Sequence, residues 1–171
     1  MEIQLSKCKL RPWHINDANT LVLQANNINV SKNLRDLFPH PYTFNDARFF
    51  ITHLAGSKKN LVLAIEVEGE AVGSIGIQMQ NDIYRKNGEL GYWLGETYWG
   101  RGIATEAIEA VVKYGFDHFD LNRIYACVFE QNAASMRVLE KCGFIKEAIH
   151  QKAVIKNDII LDEHIYIRFR A

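Results

Sequence analysis

The stretch GELGYWLGETYWGRGIATEAIEAVVKYGFDHF, Gly88 to Phe119, decides the fold. Its apolar start, Glu89 to Leu94, predicts a buried strand. A polar turn follows, and then Gly100-Arg-Gly102. In the next segment, Ile103 to Phe119, apolar residues recur in a double row at i and i+4. This pattern predicts a helix with one buried face. A strand, a glycine-rich turn and a helix start in succession present free backbone N–H groups and the positive end of a helix dipole. This junction therefore suits a phosphate.

Bulk composition narrows the class of protein. The 171 residues are 48% hydrophobic and 23% charged, which is ordinary for a globular protein and predicts a single domain over residues 1–171. The 20 Lys and Arg balance the 20 Asp and Glu, which argues against a nucleic-acid-binding protein driven by bulk charge. No apolar run approaches 18 residues and the N-terminus lacks a signal-peptide core, so we expect neither membrane insertion nor export.

The cysteines and histidines predict neither a metal site nor disulfides. Cys8, Cys127 and Cys142 are widely spaced and form no Cys-x-x-Cys pair, and the six histidines show no metal-ligand spacing. A reduced, cytoplasmic setting is the simple interpretation. The apolar strand around Cys127 predicts an inert buried thiol rather than a nucleophile.

The rest of the chain supplies strands and helices around the central junction. Strands are predicted at 3–11, 61–67, 71–79, 89–94, 123–129, 144–155 and 159–169, and helices at 16–25, 31–38, 44–54, 103–119 and 132–142. Thr43 and Asp46 resemble a capping box, and Gly73 and Gly76 inside a strand indicate a bulge or a close backbone approach. Antiparallel hairpins combined with helical crossovers predict an α+β, or mixed α/β, sheet covered by helices.

The hexapeptide Trp99-Gly-Arg-Gly-Ile-Ala104 is the first candidate site. Its glycines allow tight backbone geometry and leave room for a phosphate, while Arg101 adds charge and Thr105 adds a hydroxyl donor. A flexible turn before a core helix explains the same spacing equally well, because short glycine motifs are weak signals. Neither a Walker-type phosphate loop nor a dinucleotide fingerprint is present.

A second constellation, Asn132-Ala-Ala-Ser135, follows the predicted strand 123–129 and precedes Lys141-Cys-Gly-Phe144. Asn132 suits the N-cap position of the helix that starts there. It can equally hold an amide-bearing ligand.

These two constellations together carry a family resemblance. Trp99–Ala104, followed about thirty residues later by N-x-x-S-x-x-x-L-x-x-x-G-F, resembles the GCN5-related N-acetyltransferase (GNAT) superfamily. The chain is similar to the RimJ/RimL-type branch, the ribosomal-protein and related N-acetyltransferases, in its opening LRPW, the PYT near residue 42, GELGYWL, YWGRGIATEA and NAASMRVLEKCGF. The resemblance runs from about residue 8 to the end of the sequence. Any one of these motifs is a weak signal, but their shared order and spacing make the resemblance highly specific.

The resemblance implies a GNAT-like fold, with a central, mostly antiparallel, splayed sheet of about seven strands flanked by about four helices. It implies acetyl-coenzyme A (acetyl-CoA) as donor and no metal. In this family the central strand pairs with the pantetheine arm, the turn takes the pyrophosphate, and the two middle strands, here near 90–94 and 124–129, splay apart to form the slot. We therefore expect Gly102→Val to abolish acetyl-CoA binding and to leave the fold largely intact. The implied cofactor-binding residues are Tyr92, Trp93, Leu94, Trp99, Gly100, Arg101, Gly102, Ile103, Ala104, Thr105, Asn132 and Ser135.

Two positions depart from the superfamily pattern. Trp99 stands where Gln or Arg begins the general motif, but Trp is common there in the RimJ/RimL-type branch, so the backbone cradle should survive. Leu139 stands where the superfamily often has a Tyr that protonates the departing thiolate. Because Leu139 cannot donate a proton, Ser135 is our hypothesis for the catalytic general acid.

The acceptor amine must lose a proton before or during its attack. Glu89, at the start of the central strand, is the first candidate for the catalytic base, and a solvated strand-end carboxylate is the alternative interpretation. Glu130 is a weaker candidate, and positioning of the reactants supplies much of the acceleration if there is no base. By resemblance, His40 lies in the segment that roofs the acceptor site and Tyr42 lines its pocket.

We therefore expect an acetyl-CoA-dependent N-acetyltransferase in which a primary amine, such as the N-terminal amine of a ribosomal protein, attacks the thioester directly in a ternary complex. The alternative within the class is an enzyme for polyamines, aminoglycosides or amino acids. The alternatives outside it are a non-catalytic acyl-CoA-binding sensor, which Leu139 favours, and a plain scaffold. The expected partners are acetyl-CoA and an amine acceptor, without nucleic acid or membrane, and a homodimer is left open.

Overall fold

The computed structural model describes residues 1–56 and 60–170. Its strands are β1 (Ile3–Gln4), β2 (Lys9–Arg11), β3 (Leu61–Val67), β4 (Glu70–Met79), β5 (Asn87–Leu94), β6 (Arg123–Phe129), β7 (Ile145–Lys156) and β8 (Ile159–Phe169). Its α-helices are α1 (Ala18–Ala25), α2 (Ile28–Ser31), α3 (Phe44–Phe49), α4 (Ile103–His118) and α5 (Ala133–Lys141). One π-helical turn, Phe50–Leu54, continues α3. None of the described helices is long and apolar enough to cross a membrane.

The eight strands form one sheet in the order β1-β2-β3-β4-β5-β6-β8-β7. Every neighbouring pair is antiparallel except the central pair, β5 and β6, which is parallel. A parallel pair needs a crossover connection, and α4 supplies it. The predicted α+β class with a mostly antiparallel sheet is confirmed, with eight strands in place of about seven and five α-helices in place of about four.

Strong local signals predicted several elements closely. β3 and β6 have the predicted bounds, and α4 ends one residue before the predicted Phe119. Thr43 and Asp46 form both hydrogen bonds of the predicted capping box. In each case the pattern is local, because the residues that define the element lie within it.

The two glycines of β4 mark a close backbone approach, as predicted. A Cβ on Gly73 would collide with the carbonyl oxygen of Trp93 in β5, and a Cβ on Gly76 would collide with that of Leu61 in β3. These glycines therefore let β4 lie tightly between its two neighbours, and this fixes the position of β5.

Two predicted elements are wrong. The strand expected at 3–11 is instead the antiparallel pair β1 and β2, joined by a turn in which the Leu5 N–H donates to the Cys8 carbonyl at 2.9 Å. The helix expected at 31–38 is limited to α2, and the residues after it form turns. This helix begins earlier than expected because the Asn27 side chain accepts a hydrogen bond from the Asn29 N–H and caps it.

Each face of the sheet carries its own core. On one face, α4 packs against Leu90 and Leu94 of β5 in the larger cluster of buried residues. On the other face, α1 and α3 form a second cluster against which Trp93 packs. Because successive strand residues point to opposite faces, Glu89 and Gly91 share the α1–α3 face with Trp93, whereas Tyr92 shares the α4 face.

Candidate active site

A slot opens in the middle of the sheet, where β5 and β6 separate. β5 continues beside β4 to Leu94, and β6 continues beside β8 to Phe129, so the two halves of the sheet diverge. The predicted splay is confirmed, and over residues 90–94 the β5 edge that faces β6 is unpaired within the described chain. The parallel pairing of β5 with β6 is limited, among the described residues, to Asn87↔Arg123, Gly88↔Ile124 and Glu89↔Tyr125.

The unpaired edge of β5 is open to an extended ligand. Gly91 is exposed, and a Cβ built on it would meet no atom within 4 Å. Free N–H and C=O groups along a strand edge recruit another extended chain by adding a strand. The edge therefore suits a ligand with amide groups along an extended arm, in keeping with the backbone roles that the resemblance implies for 92–94.

The glycine-rich turn follows this edge and forms an anion cradle. Gly100 and Gly102 have φ angles of 74° and 77°, in the left-handed region that favours glycine. No side chain caps the start of α4, and the Glu106 N–H donates to the Gly102 carbonyl at 3.2 Å. The N–H groups of residues 103–105 precede that first helical bond and are left for an anion. The turn therefore fits a pyrophosphate.

The backbone at Gly102 changes what a substitution there would do. A side chain at this left-handed position is strained, and its Cβ would lie 2.5 Å from the Lys7 Nζ. The expectation that Gly102→Val leaves the fold intact is therefore corrected, because the valine would also distort the start of α4.

Two side chains of the Trp99–Ala104 motif have distinct positions. The Trp99 indole N–H donates to the Leu94 carbonyl at 2.7 Å and ties the end of β5 to the turn. The exposed Arg101 guanidinium lies over the Tyr98 ring, 5.1 Å from its centroid. Ile103 is buried, so its contribution to a ligand would come from its backbone N–H. Arg101 is thus the charged side chain that the motif presents to an anion.

A pair of hydroxyl groups links β5 to α5 beside the slot. The Tyr92 phenol oxygen lies 2.6 Å from the Ser135 Oγ. Burial raises the pKa of Tyr92 to about 12, against a smaller lowering by the bond to Ser135. The phenol therefore keeps its proton near neutral pH, and either hydroxyl can donate in this bond; when Tyr92 donates, the Ser135 proton is available to a group in the slot. Sequence reasoning gave Tyr92 a backbone role only, and no local pattern connects it to Ser135.

Asn132 has the first of its two predicted roles, the helix cap, and its role toward a ligand stays a prediction. Its Oδ1 accepts a hydrogen bond from the Ser135 N–H at 3.2 Å and so caps α5. Within the described part of the chain its Nδ2 donates to no protein group, which leaves a donor for a ligand carbonyl. Leu139, one helical turn beyond Ser135, is 0% exposed and belongs to the α4-side core.

Glu89 lies at the last β5–β6 pair, where the slot begins. Its side chain is 17% exposed, forms an ion pair with Arg35, and accepts a hydrogen bond from the Tyr125 hydroxyl at 3.4 Å. Arg35 comes from the turns after α2 and its side chain is 62% exposed. A base role for Glu89 would require Arg35 to move or to share the carboxylate with the acceptor. Sequence reasoning missed Arg35, since no motif marks it.

Two open cavities share the Asp36–Lys156 ion pair, whose atoms are 2.7 Å apart, in their lining. The first, of about 290 Å³, is lined by Arg35, Phe129 and Glu163 among others. The second, of about 350 Å³, includes the exposed His40. This arrangement is compatible with an acceptor contact for His40, which stays a prediction.

Tyr42 lies deeper than a pocket-lining residue. It is 4% exposed, and its ring packs on Phe38 with the centroids 4.9 Å apart. Phe38 in turn packs edge-on against Trp93. The predicted acceptor contact of Tyr42 stays untested, and from this position Tyr42 would act through the rings of Phe38 and Trp93.

Cys127 faces the same side of the sheet as Glu89. Burial, with Glu163 and Glu89 nearby, raises the pKa of the Cys127 thiol to about 12. The thiol is therefore almost entirely protonated near neutral pH, in keeping with the predicted inert role.

The unpaired strand edge and the anion cradle define a protein that binds an extended, amide-containing ligand with phosphate groups. Residues 7–145 match the family model of the acetyltransferase (GNAT) domain. The chain belongs to the GNAT acetyltransferase family.

Curated relatives have acetyltransferase names. The uncharacterized N-acetyltransferase p20 of Bacillus licheniformis is 36% identical over 98 residues, which are 56% of this chain and 53% of that protein. The ribosomal-protein-serine acetyltransferase of Escherichia coli (strain K12) is 31% identical over 101 residues, 59% of this chain and 56% of that protein, in keeping with the RimJ/RimL-type branch. The chain spans about half the length of the first curated relatives that it matches.

Solved structures share the whole fold. A GNAT-family acetyltransferase from Bacillus anthracis superposes with a TM-score of 0.86 at 26% identity, over 99% of this chain and 98% of that one. The microcin C7 self-immunity acetyltransferase MccE, solved with acetyl-CoA and AMP, gives a TM-score of 0.86 at 26% identity over 97% of this chain and 94% of that one.

Proposed function

We propose that this protein transfers the acetyl group of acetyl-CoA to a primary amine by direct attack in a ternary complex. The observation that carries this proposal is the continuity of the unpaired β5 edge with the N–H cradle at the start of α4. A pantetheine arm paired along 91–94 would bring its pyrophosphate to 100–105. The complex of MccE with acetyl-CoA supports the same ligand class.

Acetyl-CoA would supply an activated thioester, and the chain's own groups would orient it and manage the protons. Asn132 would donate its Nδ2 hydrogen to a carbonyl of the arm. Ser135, held by Tyr92, would protonate the departing thiolate. The protonated Cys127 supports direct attack by the amine rather than an acyl-enzyme.

Glu89 would act as the base for the acceptor amine, directly or through a water. It begins the slot on the α1–α3 face, next to the open Gly91, and its ion-pair partner Arg35 lines the first cavity. General base catalysis is typically worth roughly 10²–10⁴-fold. Arg35 competes for the same carboxylate, so we infer that acceptor binding displaces or shares it.

The acceptor we favour is a protein N-terminal amine. The name of the Escherichia coli relative and the RimJ/RimL-type motifs support it. A small-molecule amine remains the second candidate, because the acceptor side has two open cavities of a few hundred Å³. A non-catalytic acyl-CoA sensor is the third, because Leu139 is buried and donates no proton.

The test is thiol release from acetyl-CoA across N-terminal peptides, polyamines, amino acids and aminoglycosides, with each product identified by mass. We expect turnover to be highest with peptides that carry a free α-amine. Turnover with a small amine alone would favour the second candidate. Tight CoA binding without turnover on any amine would favour the sensor and contradict catalysis.

A further inference from the structure

One cation at the anion cradle comes from outside the glycine motif. Lys7 lies in the turn between β1 and β2, and its ammonium is held against Gly102. A Cβ built on Gly102 would have as its nearest neighbour the Lys7 Nζ at 2.5 Å, with Cε at 3.7 Å. The two residues are about 95 positions apart in the sequence, so the fold and not the motif brings them together.

Glu106 fixes the backbone of this turn. Its Oε1 accepts hydrogen bonds from the Ser6 N–H at 3.0 Å and the Ser6 hydroxyl at 2.6 Å, and its Oε2 accepts one from the Lys7 N–H at 2.9 Å. On the other side of Lys7, Cys8 is buried in the main core. The backbone of Lys7 is therefore fixed on both sides, by the hydrogen bonds to Glu106 and by the buried Cys8, and its side chain extends toward the start of α4.

The carboxylate of Glu106 is engaged by these donors rather than by the ammonium. Burial alone would raise the pKa of Glu106, but the hydrogen bonds from Ser6 and Lys7 lower it, so the group is ionised near neutral pH. Among the described residues, the Lys7 ammonium forms no ion pair and donates no hydrogen bond. The exposed Lys7 ammonium therefore lies, without a protein partner among those residues, near the positive end of the α4 dipole, where an anion would bind favourably.

We propose that Lys7 binds a phosphate group of acetyl-CoA and that Glu106 is the positioning residue that aims it. This inference rests on the proposed function, and it adds to the 100–105 backbone cradle a side chain contributed by the N-terminal hairpin. A lysine ammonium would donate a charge-assisted hydrogen bond to a phosphate oxygen. Both the pyrophosphate and the 3′-phosphate of the cofactor offer this chemistry.

The test compares binding of CoA and of 3′-dephospho-CoA to the whole protein by calorimetry. We expect Lys7→Ala to raise the Kd for CoA by about tenfold and Lys7→Arg to restore most of it. An equal loss with dephospho-CoA identifies the pyrophosphate as the partner, whereas a loss seen only with CoA identifies the 3′-phosphate. Lys9→Ala is the matched control, because Lys9 lies two residues away and pairs with Glu2 at 2.7 Å.

Salt dependence and coupling separate binding from a structural effect. The Kd of the unchanged protein should rise more steeply with ionic strength than that of Lys7→Ala, since one charge contact is lost. Glu106→Gln should weaken CoA binding, and its effect should largely vanish in the Lys7→Ala background. If the effects of Glu106→Gln and Lys7→Ala on the Kd for CoA are fully additive, Glu106 does not position Lys7.

A Kd for Lys7→Ala within twofold of the Lys9→Ala value would overturn the role of Lys7 while leaving the proposed function standing. Failure of the unchanged protein to bind CoA would overturn both. The melting temperature of each variant serves as the folding control.

Discussion

The phenol of Tyr92 and the hydroxyl of Ser135 lie 2.6 Å apart, which joins the unpaired strand β5 to the start of α5. Because burial raises the pKa of Tyr92 to about 12, the phenol stays protonated near neutral pH, and when it donates to Ser135 the serine keeps a proton to give. The pair therefore offers a proton donor in the segment where Leu139 offers none.

Removal of either hydroxyl should slow turnover with little effect on cofactor affinity. We expect Ser135→Ala to lower kcat by about 10²-fold and Tyr92→Phe by about tenfold, because the first loses the acid and the second only its orientation. Steady-state kinetics and CoA titration measure the two effects. Tyr114→Phe is the control, since Tyr114 lies on α4 and stacks on His118. A kcat for Ser135→Ala equal to that of the unchanged protein would refute the acid assignment.

Substitutions at Glu89 and Arg35 separate base catalysis from electrostatic pairing. We expect Glu89→Gln to lower kcat by roughly 10²-fold or more, because the amide cannot accept the amine proton. Arg35→Ala should instead change mainly the KM of the acceptor, because it frees the carboxylate without removing it. Glu70→Gln, at the exposed start of β4, is the control. If kcat is unchanged in Glu89→Gln, Glu89 is not the catalytic base, and positioning of the reactants accounts for the rate.

Gly91 offers a test of the slot that spares the fold. Its φ lies outside the left-handed region and a Cβ there meets no atom within 4 Å, so alanine fits the strand and valine adds only two methyl groups beyond that open position. Because the added atoms project to the same face as Glu89, we expect the acceptor KM to rise stepwise from Gly91→Ala to Gly91→Val. The melting temperature should stay within a few degrees. If neither substitution changes the KM of the acceptor, the acceptor does not bind beside Gly91.

The Arg11–Asp17 pair predicts an acid-sensitive contribution to stability. Arg11 donates to the two Asp17 oxygens at 2.7 and 2.9 Å. Burial alone would raise the pKa of Asp17, but the hydrogen bonds from Arg11 and the His14 N–H lower it below its ordinary value. The stabilisation is therefore present above the unfolded-state pKa, near 4, and is lost as the pH falls through the lower folded-state pKa.

Asp17→Asn should accordingly lower the free energy of unfolding by about 1–3 kcal/mol at pH 7. Urea titrations at pH 7, 5 and 3 should show this difference shrinking at the lowest pH. Asp120→Asn is the control, because the Asp120 side chain is 78% exposed and its pair with Lys86 is screened. A difference that grows as the pH falls would contradict the assignment.

Sequence alone predicted the parts of the site that a local pattern encodes. The Gly100–Gly102 turn, the start of α4 and the Asn132 cap depend on residues within a few positions of one another. The helix expected at 31–38 was wrong because Asn27 caps a helix that already begins at Ile28 and ends at Ser31, and turns follow it.

The pairs that complete the site could not be predicted, because only the tertiary fold creates them. Tyr92 and Ser135 are 43 residues apart, and Arg35 and Glu89 are 54 residues apart. Lys7 and Glu106 are 99 residues apart. No periodicity spans such separations, and strand pairing and helix packing decide which side chains meet.

Amide hydrogen exchange with and without CoA tests the central claim, that the β5 edge and the start of α4 form one cofactor site. Saturating CoA should slow exchange by at least about tenfold at Tyr92 and Leu94 and at 103–105 together, because these N–H groups would gain partners, whereas those of Gly91 and Trp93 face β4. Exposed amides of the β3–β4 turn should not change. Protection confined to other segments, or none at either, would contradict the account.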